Sequence, residues 1–318
     1  MRNILITGAT GFIGREVCRQ LRRLGYTVSG TTRDTGLHAG PENIPLHYIP
    51  EFSCEMDWSQ AVAGADAIVH LAARVHQMRD PVADPMSEYR RVNVEGTKSL
   101  ATVAAAAGVK RFIFLSSIKV NGEKTIDTPF SVRDTPAPID PYGISKWEAE
   151  QALAKINAHS SLDTVILRSP LVYGSNAGGN FATLVRAVIK RWPIPLGAVA
   201  NRRSLVYVGN LVSVIVECLD HPSARGKTFL VSDGEDLSTV ELVRRMAEAA
   251  GIVPRIFYCP LWCLYAAGVL TGRRKIVERI TDSLQLESDH IRQALSWSPP
   301  FSVEDGLREA MKSVSGTN

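Results

Sequence analysis

Tyr142 and Lys146 are the residues whose types and spacing most directly predict chemistry. They lie four positions apart in the segment 142–158, which has a helical pattern, so they share one face of a helix. A free tyrosine has a pKa of about 10 and is a poor base at neutral pH, but a neighbouring ammonium favours its phenolate. The pair can therefore take a proton from an alcohol or give one to a developing alkoxide. Ser117 follows a predicted strand at 111–115, where its hydroxyl would orient the reacting oxygen.

A glycine-rich segment near the start of the chain predicts a dinucleotide site. Gly8, Gly11 and Gly14 follow the first predicted strand, 3–7, and open the first helix. Gly8 permits a tight turn, Gly11 lets backbone approach a pyrophosphate, and Gly14 permits close packing of helix on strand. The N-terminus of the helix then faces the anion.

Short β-rich runs alternate with helix-like runs through the first half of the chain. Continuous apolar strands separated by helices predict a parallel sheet covered on both faces, in a doubly wound α/β fold of the Rossmann type. After Tyr173 the sequence is richer in loops, which predicts a smaller C-terminal substrate lobe. We assign residues 1–173, with a return segment 203–233, to the dinucleotide-binding domain, and residues 174–202 and 234–318 to the substrate lobe. The strand candidates are 3–7, 27–30, 46–49, 67–71, 111–115, 164–168 and 228–231.

Composition argues against several classes of protein. The net charge of the 318 residues is only +4 and no basic block stands out, so no nucleic-acid partner is expected. The five cysteines fit neither a zinc site nor a disulfide framework, which predicts buried thiols, no metal and a cytoplasmic location. The N-terminal apolar run stops in the glycine loop, unlike a signal peptide. The longest apolar stretch, 256–270, is roughly 15 residues against the about 20 that span a bilayer, so we expect a buried or amphipathic helix and leave contact with a membrane surface open.

Further motifs follow one another along the chain. Residues 70–73 read His-Leu-Ala-Ala, 93–97 read Asn-Val-Glu-Gly-Thr, 142–146 read Tyr-Gly-Ile-Ser-Lys and 168–174 read Arg-Ser-Pro-Leu-Val-Tyr-Gly. Together with the GxxGxxG spacing of residues 8–14, these motifs resemble the extended short-chain dehydrogenase/reductases of the NAD-dependent epimerase/dehydratase family. The resemblance covers nearly the whole chain and implies an enzyme with a nicotinamide dinucleotide cofactor.

The resemblance implies a set of cofactor-binding residues. Thr31 and Thr32 stand where an NAD-type site usually has an acid, and Arg33 follows them, so the sequence favours NADP and leaves NAD open. Lys146 would also hold the nicotinamide ribose. The residues assigned to the cofactor are Gly8, Thr10, Gly11, Phe12, Ile13, Gly14, Arg33, Leu71, Ala72, Ala73, Asn93, Tyr142 and Lys146.

The resemblance also implies a UDP-sugar substrate held by the C-terminal lobe. A dehydratase is disfavoured, because Ile118 and Lys119 stand where sugar-nucleotide dehydratases have an acid pair. Arg203 aligns with an arginine that clamps the diphosphate, and Arg274 or Arg279 would be the second such arginine. The other implied substrate contacts are Ser117, Asn180, Leu196 and Arg74, with His76 as a further candidate for the sugar pocket.

Segments near residues 74–76, 117–122 and 202–207 resemble bacterial reductases of UDP-4-keto-6-deoxy-N-acetylhexosamines, which serve surface polysaccharide synthesis. A 4-keto reductase is therefore the leading expectation. The alternative is a UDP-hexose 4-epimerase, which would use the same catalytic residues but retain its NAD. A non-enzymatic redox sensor is disfavoured, because such proteins lose the tyrosine–lysine pair. The resemblance also implies a homodimer formed through the helices at 88–107 and 142–158.

Overall fold

The computed structural model describes residues 2–37, 39–75 and 84–315. Its strands are β1 (Asn3–Thr7), β2 (Thr27–Thr32), β3 (Leu46–Tyr48), β4 (Ala67–His70), β5 (Arg111–Ser117), β6 (Asp163–Ser169), β7 (Leu171–Tyr173), β8 (Arg203–Tyr207), β9 (Thr228–Leu230) and β10 (Asp236–Leu237). Its α-helices are α1 (Phe12–Arg23), α2 (Ser59–Val62), α3 (Pro85–Tyr89), α4 (Gly96–Ala106), α5 (Pro141–Ala158), α6 (Gly179–Ile189), α7 (Val208–Asp220), α8 (Thr239–Ala249), α9 (Leu261–Leu270), α10 (Arg274–Thr281), α11 (Asp289–Leu295) and α12 (Val303–Ser315).

The main sheet has seven parallel strands in the order β3-β2-β1-β4-β5-β6-β9. Successive residues of a strand point to opposite faces, and here both faces are buried. Ile4 and Ile6 of β1 pack into one hydrophobic core, while Leu5 between them packs into the core on the other face. Two covered faces explain why the strands read as continuous apolar runs, and the doubly wound parallel fold expected from the sequence is confirmed.

A second sheet of three strands, β10-β8-β7, lies in the C-terminal part of the chain. The expected return segment, 203–233, reaches the main sheet only in part. Helix α7 packs against α1, and β9 pairs with β6, but β8 pairs with β7 and β10. Leu205 packs into the core of the substrate lobe and Val206 into the core beneath the main sheet, so β8 borders both. Its apolar pattern fits either sheet, so the sequence alone does not decide which of the two it joins. The domain division stays a prediction.

The predicted helix at 88–107 is divided in the structure. Helix α3 runs into a π-helical turn, Arg90–Glu95, and α4 follows directly from that turn. The turn contains Asn93, one of the expected cofactor residues. In the described ranges no helix is both long and apolar enough to cross a bilayer.

Candidate active site

The glycine loop joins β1 to α1 through positions that exclude a side chain. Gly8 has a φ of +69°, and a Cβ there would lie 3.0 Å from the backbone nitrogen of Ala72. A Cβ on Gly14 would lie 2.1 Å from the carbonyl oxygen of Gly8. Gly11 is the N-cap of α1 and has no side chain with which to cap it. The helix therefore presents its first backbone amides towards the loop, and this cradle fits a pyrophosphate. Three further residues assigned to the cofactor belong to the same loop and first turn: Thr10, Phe12 and Ile13.

A buried chain of polar side chains supports this loop from behind, and sequence reasoning missed it. The Thr7 hydroxyl accepts hydrogen bonds from the backbone amides of Leu71 and Ala72, each at 3.2 Å, and lies 2.6 Å from His70 Nδ1. Since both acceptor positions of that hydroxyl are used, its proton points to Nδ1, and His70 Nε2 donates to Thr97 Oγ1 at 2.9 Å. Burial lowers the pKa of His70 to about 3, so the ring is neutral. Polar residues ending two apolar strands, Thr7 and His70, were the available signal.

Asn93 holds the chain that leaves β4, residues 71–75. Its Oδ1 accepts from the backbone amide of Arg74 at 2.8 Å, and its Nδ2 donates to the Arg74 carbonyl at 3.0 Å. The same Nδ2 donates to Ser145 Oγ at 2.9 Å, and Ser145 donates in turn to the Tyr142 carbonyl at 2.8 Å. Asn93 therefore links the segment that includes Ala73 to the first turn of α5. It would act on a cofactor indirectly, by holding these two segments in position.

Tyr142 and Ser117 meet between two elements. Helix α5 begins directly after Asp140, whose Oδ1 accepts from the amide of Gly143 at 2.7 Å, and Tyr142 lies in its first turn. Ser117 ends β5, and its hydroxyl lies close enough to the Tyr142 phenol to lower the pKa of that phenol. Loss of hydration raises the pKa of Tyr142 above its usual value; the charge of Asp140, and that of Tyr89 when it is ionised, raise it further, and the Ser117 hydroxyl opposes them. The sequence predicted a lowered pKa, so the protein groups alone act in the opposite direction.

The surroundings of Lys146 explain part of why the pKa of Tyr142 is not lowered as the sequence predicted. Its Nζ donates to the carbonyl of Leu115 in β5 at 2.8 Å and lies 4.2 Å from the ring centroid of Phe114. Burial lowers the pKa of Lys146 to about 7, and the carboxylate of Glu150, one helical turn further on, opposes the effect. The ammonium is thus directed to a strand carbonyl, and its charge is only partly present at neutral pH.

A buried ion pair beneath these residues connects β5, β6 and α5. Arg168 and Glu150 are 4% and 2% exposed and form a bidentate pair, with Nη2 to Oε2 at 2.6 Å and Nε to Oε1 at 3.0 Å. Ser116 Oγ donates to Glu150 Oε1 at 2.5 Å, and Arg168 Nη1 donates to Asn121 Oδ1 at 2.8 Å. Sequence reasoning did not identify this cluster, although an arginine inside an apolar strand was a signal for it. The cluster fixes the strand end that carries Ser117.

Arg203 lies close enough to Arg279 for the charge of Arg279 to act on it. Arg203 Nη1 donates to the backbone carbonyl of Asp282, the residue after α10, at 2.8 Å. Burial lowers the pKa of Arg203, the Asp282 charge opposes this, and the charge of Arg279 lowers it further. Arg274 is instead exposed and paired with Glu278 at 2.8 Å. The structure therefore favours Arg279 over Arg274 as the companion of Arg203 in an anion site.

Asn180 and Leu196 are the remaining substrate contacts expected in the C-terminal lobe. Asn180 lies partly buried in the first turn of α6. The Leu196 side chain is buried in the core of the substrate lobe, and its carbonyl already accepts from Val199. A nucleobase contact at Leu196 would thus use its backbone.

Two further arginines were assigned to the site from the sequence, Arg33 to the cofactor and Arg74 to the substrate. Arg33 is exposed just after β2, and Thr31 before it is buried. The Arg74 guanidinium lies 5.5 Å from the ring centroid of Tyr89, and that ring meets Tyr142 edge-on at 6.3 Å. Arg74 is therefore connected to the catalytic tyrosine candidate through one aromatic ring. His76 lies outside the described residues.

Comparison with known proteins identifies the family. Residues 4–232 match the NAD-dependent epimerase/dehydratase family. The chain belongs to this family. A UDP-glucose 4-epimerase of Vibrio cholerae is 41% identical over 100% of this chain and 97% of its own length. The N-acetyl-alpha-D-glucosaminyl-diphospho-ditrans,octacis-undecaprenol 4-epimerase of Escherichia coli O157:H7 is 26% identical over 98% of this chain and 94% of its own. The solved UDP-glucuronic acid 4-epimerase of Bacillus cereus, in complex with NAD, shares the fold with a TM-score of 0.78 at 21% identity, covering 99% of each chain.

Within the NAD-dependent epimerase/dehydratase family, the residues after Ser117 bear on the reaction type. Ile118 is buried, and Lys119 is ion-paired with Asp140 and with Glu123. Neither side chain can supply the acid–base pair that removal of water requires. Among the described residues, no group of His, Cys, Asp and Glu side chains could hold a metal ion.

Proposed function

We propose that this protein is a UDP-hexose 4-epimerase that retains its NAD. The observation that carries the proposal is the 41% identity to a UDP-glucose 4-epimerase over the whole chain. The closeness of the Tyr142 and Ser117 hydroxyls supports it, because two hydroxyls at one place can serve proton transfer at a sugar hydroxyl. The 4-keto reductase expected from the sequence is less well supported, since the relatives described above are epimerases.

The chain's own residues can bind the cofactor and move one proton. The glycine loop and the buried Lys146 would hold NAD, which supplies a hydride acceptor at C4 of the sugar when bound. Tyr142 Oη takes the proton of the C4 hydroxyl and later returns it, while Ser117 Oγ holds the same oxygen. Because burial raises the pKa of Tyr142, the phenolate needs a positive charge beside it, and Lys146 supplies one at or below its pKa of about 7.

The substrate's diphosphate would lie against Arg203 and Arg279. Two guanidinium groups that repel each other in a partly buried site are stabilised when a dianion is placed between them. A nucleoside diphosphate group carries that charge and presents oxygens to both arginines. The sugar would then extend from this anchor towards Ser117 and Tyr142.

The test is cofactor content followed by epimerisation without added cofactor. The purified protein is denatured and the released nicotinamide nucleotide is quantified; about one NAD per chain is expected. The protein is then incubated with UDP-glucose and with UDP-N-acetylglucosamine, and the 4-epimers are measured by chromatography. Tyr142→Phe keeps the ring but removes the proton, so turnover should fall by about 10²–10⁴-fold while NAD content is retained.

A 4-keto reductase is the second candidate, because Thr31 and Thr32 replace the usual acid and Arg33 is exposed beside them. An empty cofactor site, no epimerisation, and oxidation of NADPH by a UDP-4-keto sugar would support it. Near-normal epimerisation by Tyr142→Phe would instead show that the acid–base assignment is wrong.

A further inference from the structure

An apolar face of α9 is not explained by the fold or by the candidate active site. Trp262, Val269 and Leu270 are 72%, 61% and 87% exposed. Together with the exposed Ala266, they occupy positions i, i+4, i+7 and i+8, which form one stripe along a helix. Single exposed apolar residues are common, but a continuous stripe indicates an interaction surface.

The opposite face fixes the orientation of this helix. Leu264 is buried, and a Cβ on Gly268 would lie 2.8 Å from Val277 Cγ2 of α10, so the two helices are in close contact. The Tyr265 hydroxyl is hydrogen-bonded to Thr281 Oγ1 at 2.9 Å. Because these contacts lock α9 against α10, the apolar stripe is held outwards.

The apolar surface continues beyond the helix. Phe257 and Tyr258, just before α9, are 49% and 74% exposed. Phe257 also donates from its backbone amide to the Ile194 carbonyl at 3.1 Å, which brings the segment carrying the exposed Trp192 alongside. We name this region the α9 surface; it consists of Trp192, Phe257, Tyr258, Trp262, Val269 and Leu270.

Positive charge surrounds the α9 surface. Arg255 precedes the helix, and Arg273 and Lys275 follow it, all exposed; Arg274 between the last two is paired with Glu278. The segment 251–277 contains no Asp or Glu. Lys190 and Arg191 are exposed beside Trp192 as well. An apolar patch with a cationic border is complementary to a surface that is apolar within and anionic at its edge.

We propose that the α9 surface docks this protein onto the anionic face of a lipid bilayer. With 10 residues, α9 extends about 15 Å and cannot span a hydrocarbon core of about 30 Å, so it lies in the plane of the interface. Trp262 and Tyr258 suit the headgroup boundary, and the cations suit anionic lipid. A second copy of the chain fits less well, because it would bring the two cationic borders together.

The inner face of α9, opposite the α9 surface, is connected to the candidate diphosphate site. Tyr265 of α9 contacts Asp282 Oδ1 at 3.4 Å, and the carbonyl of Asp282 accepts from Arg203. The bilayer would therefore contact the helix pair that leads to this site. The proposal rests on surface chemistry and does not depend on which sugar nucleotide the enzyme converts.

The test is co-sedimentation of the full chain with vesicles. Vesicles of phosphatidylcholine alone are compared with vesicles containing equal parts of phosphatidylglycerol, at low and high salt. Binding is expected to the anionic vesicles and to weaken with salt. Arg273→Gln with Lys275→Gln should weaken it by roughly 25-fold, or about fivefold for each cation. Trp262→Ser and Leu270→Ser should each weaken it by roughly tenfold.

Ile126→Ser is the matched control, because Ile126 is 82% exposed but lies outside the α9 surface, and it should bind like the wild type. Thermal unfolding and NAD content identify a variant that fails to fold. Wild-type protein that stays in the supernatant with both vesicle types would overturn the proposal. Vesicle binding that is unchanged in Trp262→Ser and Leu270→Ser would also overturn it. If the wild type does not bind vesicles and these variants lose an oligomer that the wild type forms, the α9 surface is an interface between copies of the chain.

Discussion

His70 should make the protein lose stability as the pH falls below about 6.5. The unfolded chain binds a proton at His70 with a pKa of about 6.5, whereas burial lowers the folded-state pKa to about 3. Stability is therefore complete above pH 6.5 and is lost progressively as the pH falls towards 3. Between pH 8 and pH 5 the expected loss is about 2 kcal/mol of unfolding free energy. The same protonation would turn His70 Nδ1 from an acceptor into a donor and break the bond from the Thr7 hydroxyl that supports the glycine loop, while Nε2 would still donate to Thr97.

The measurement is urea unfolding at pH 8, 6.5 and 5 for the wild type and for His70→Gln. Glutamine keeps a neutral polar group at this buried position but does not titrate. The variant should therefore lose about 2 kcal/mol less unfolding free energy than the wild type between pH 8 and pH 5. His159→Gln, at the exposed end of α5, is the control for loss of a surface histidine and should follow the wild type. If wild type and His70→Gln lose stability in parallel, His70 is not the neutral, buried support of the loop described above.

Three further predictions concern other parts of the molecule. Gly14→Ala places a Cβ 2.1 Å from a carbonyl oxygen, so NAD content should fall and stability should drop by about 1–3 kcal/mol, whereas Gly178→Ala, with no atom within 4 Å of the new Cβ, should change neither. Arg203→Ala should raise the KM for a UDP-sugar by roughly 10–100-fold with NAD content unchanged, and an unaltered KM would remove Arg203 from the site. Light scattering at micromolar concentration should give a dimer formed through α4, the π-helical turn before it and α5, which present Val94, Ala152 and Ile156 in a shared groove, and a monomeric mass would contradict this.

The parts of the fold and site that the sequence predicted depend on short-range spacing. Glycines at fixed intervals after a strand specify the loop, and a spacing of four puts Tyr142 and Lys146 on one helix face. Sheet pairing is a long-range property. The sequence of strand β8 is compatible with either of two sheets, and its place depends on pairing with β7 and β10.

The pKa values of the site residues could not be predicted from the sequence, because they depend on how deeply each group is buried in the fold. The expected lowering of the pKa of Tyr142 counted the neighbouring lysine and omitted loss of hydration, which is the largest cause in the structure. Lys146 itself is directed to the Leu115 carbonyl, and its own pKa is lowered. Contacts such as that between Arg168 and Glu150, 18 positions apart, require the strands and helix to be in place first.

The buried ion pair of Arg168 and Glu150 indicates which part of the proposed epimerase is held rigid. Removing one partner of such a pair typically costs about 3–5 kcal/mol, so Arg168 and Glu150 hold β5, β6 and α5 in one arrangement. The carboxylate of Glu150 also opposes the lowering of the Lys146 pKa, so one group both fixes the site and maintains its charge. A retained cofactor needs no opening of this region between turnovers. In the proposed reaction the sugar would have to present both faces of C4, and that freedom would lie in the substrate lobe, where the diphosphate would stay anchored at Arg203.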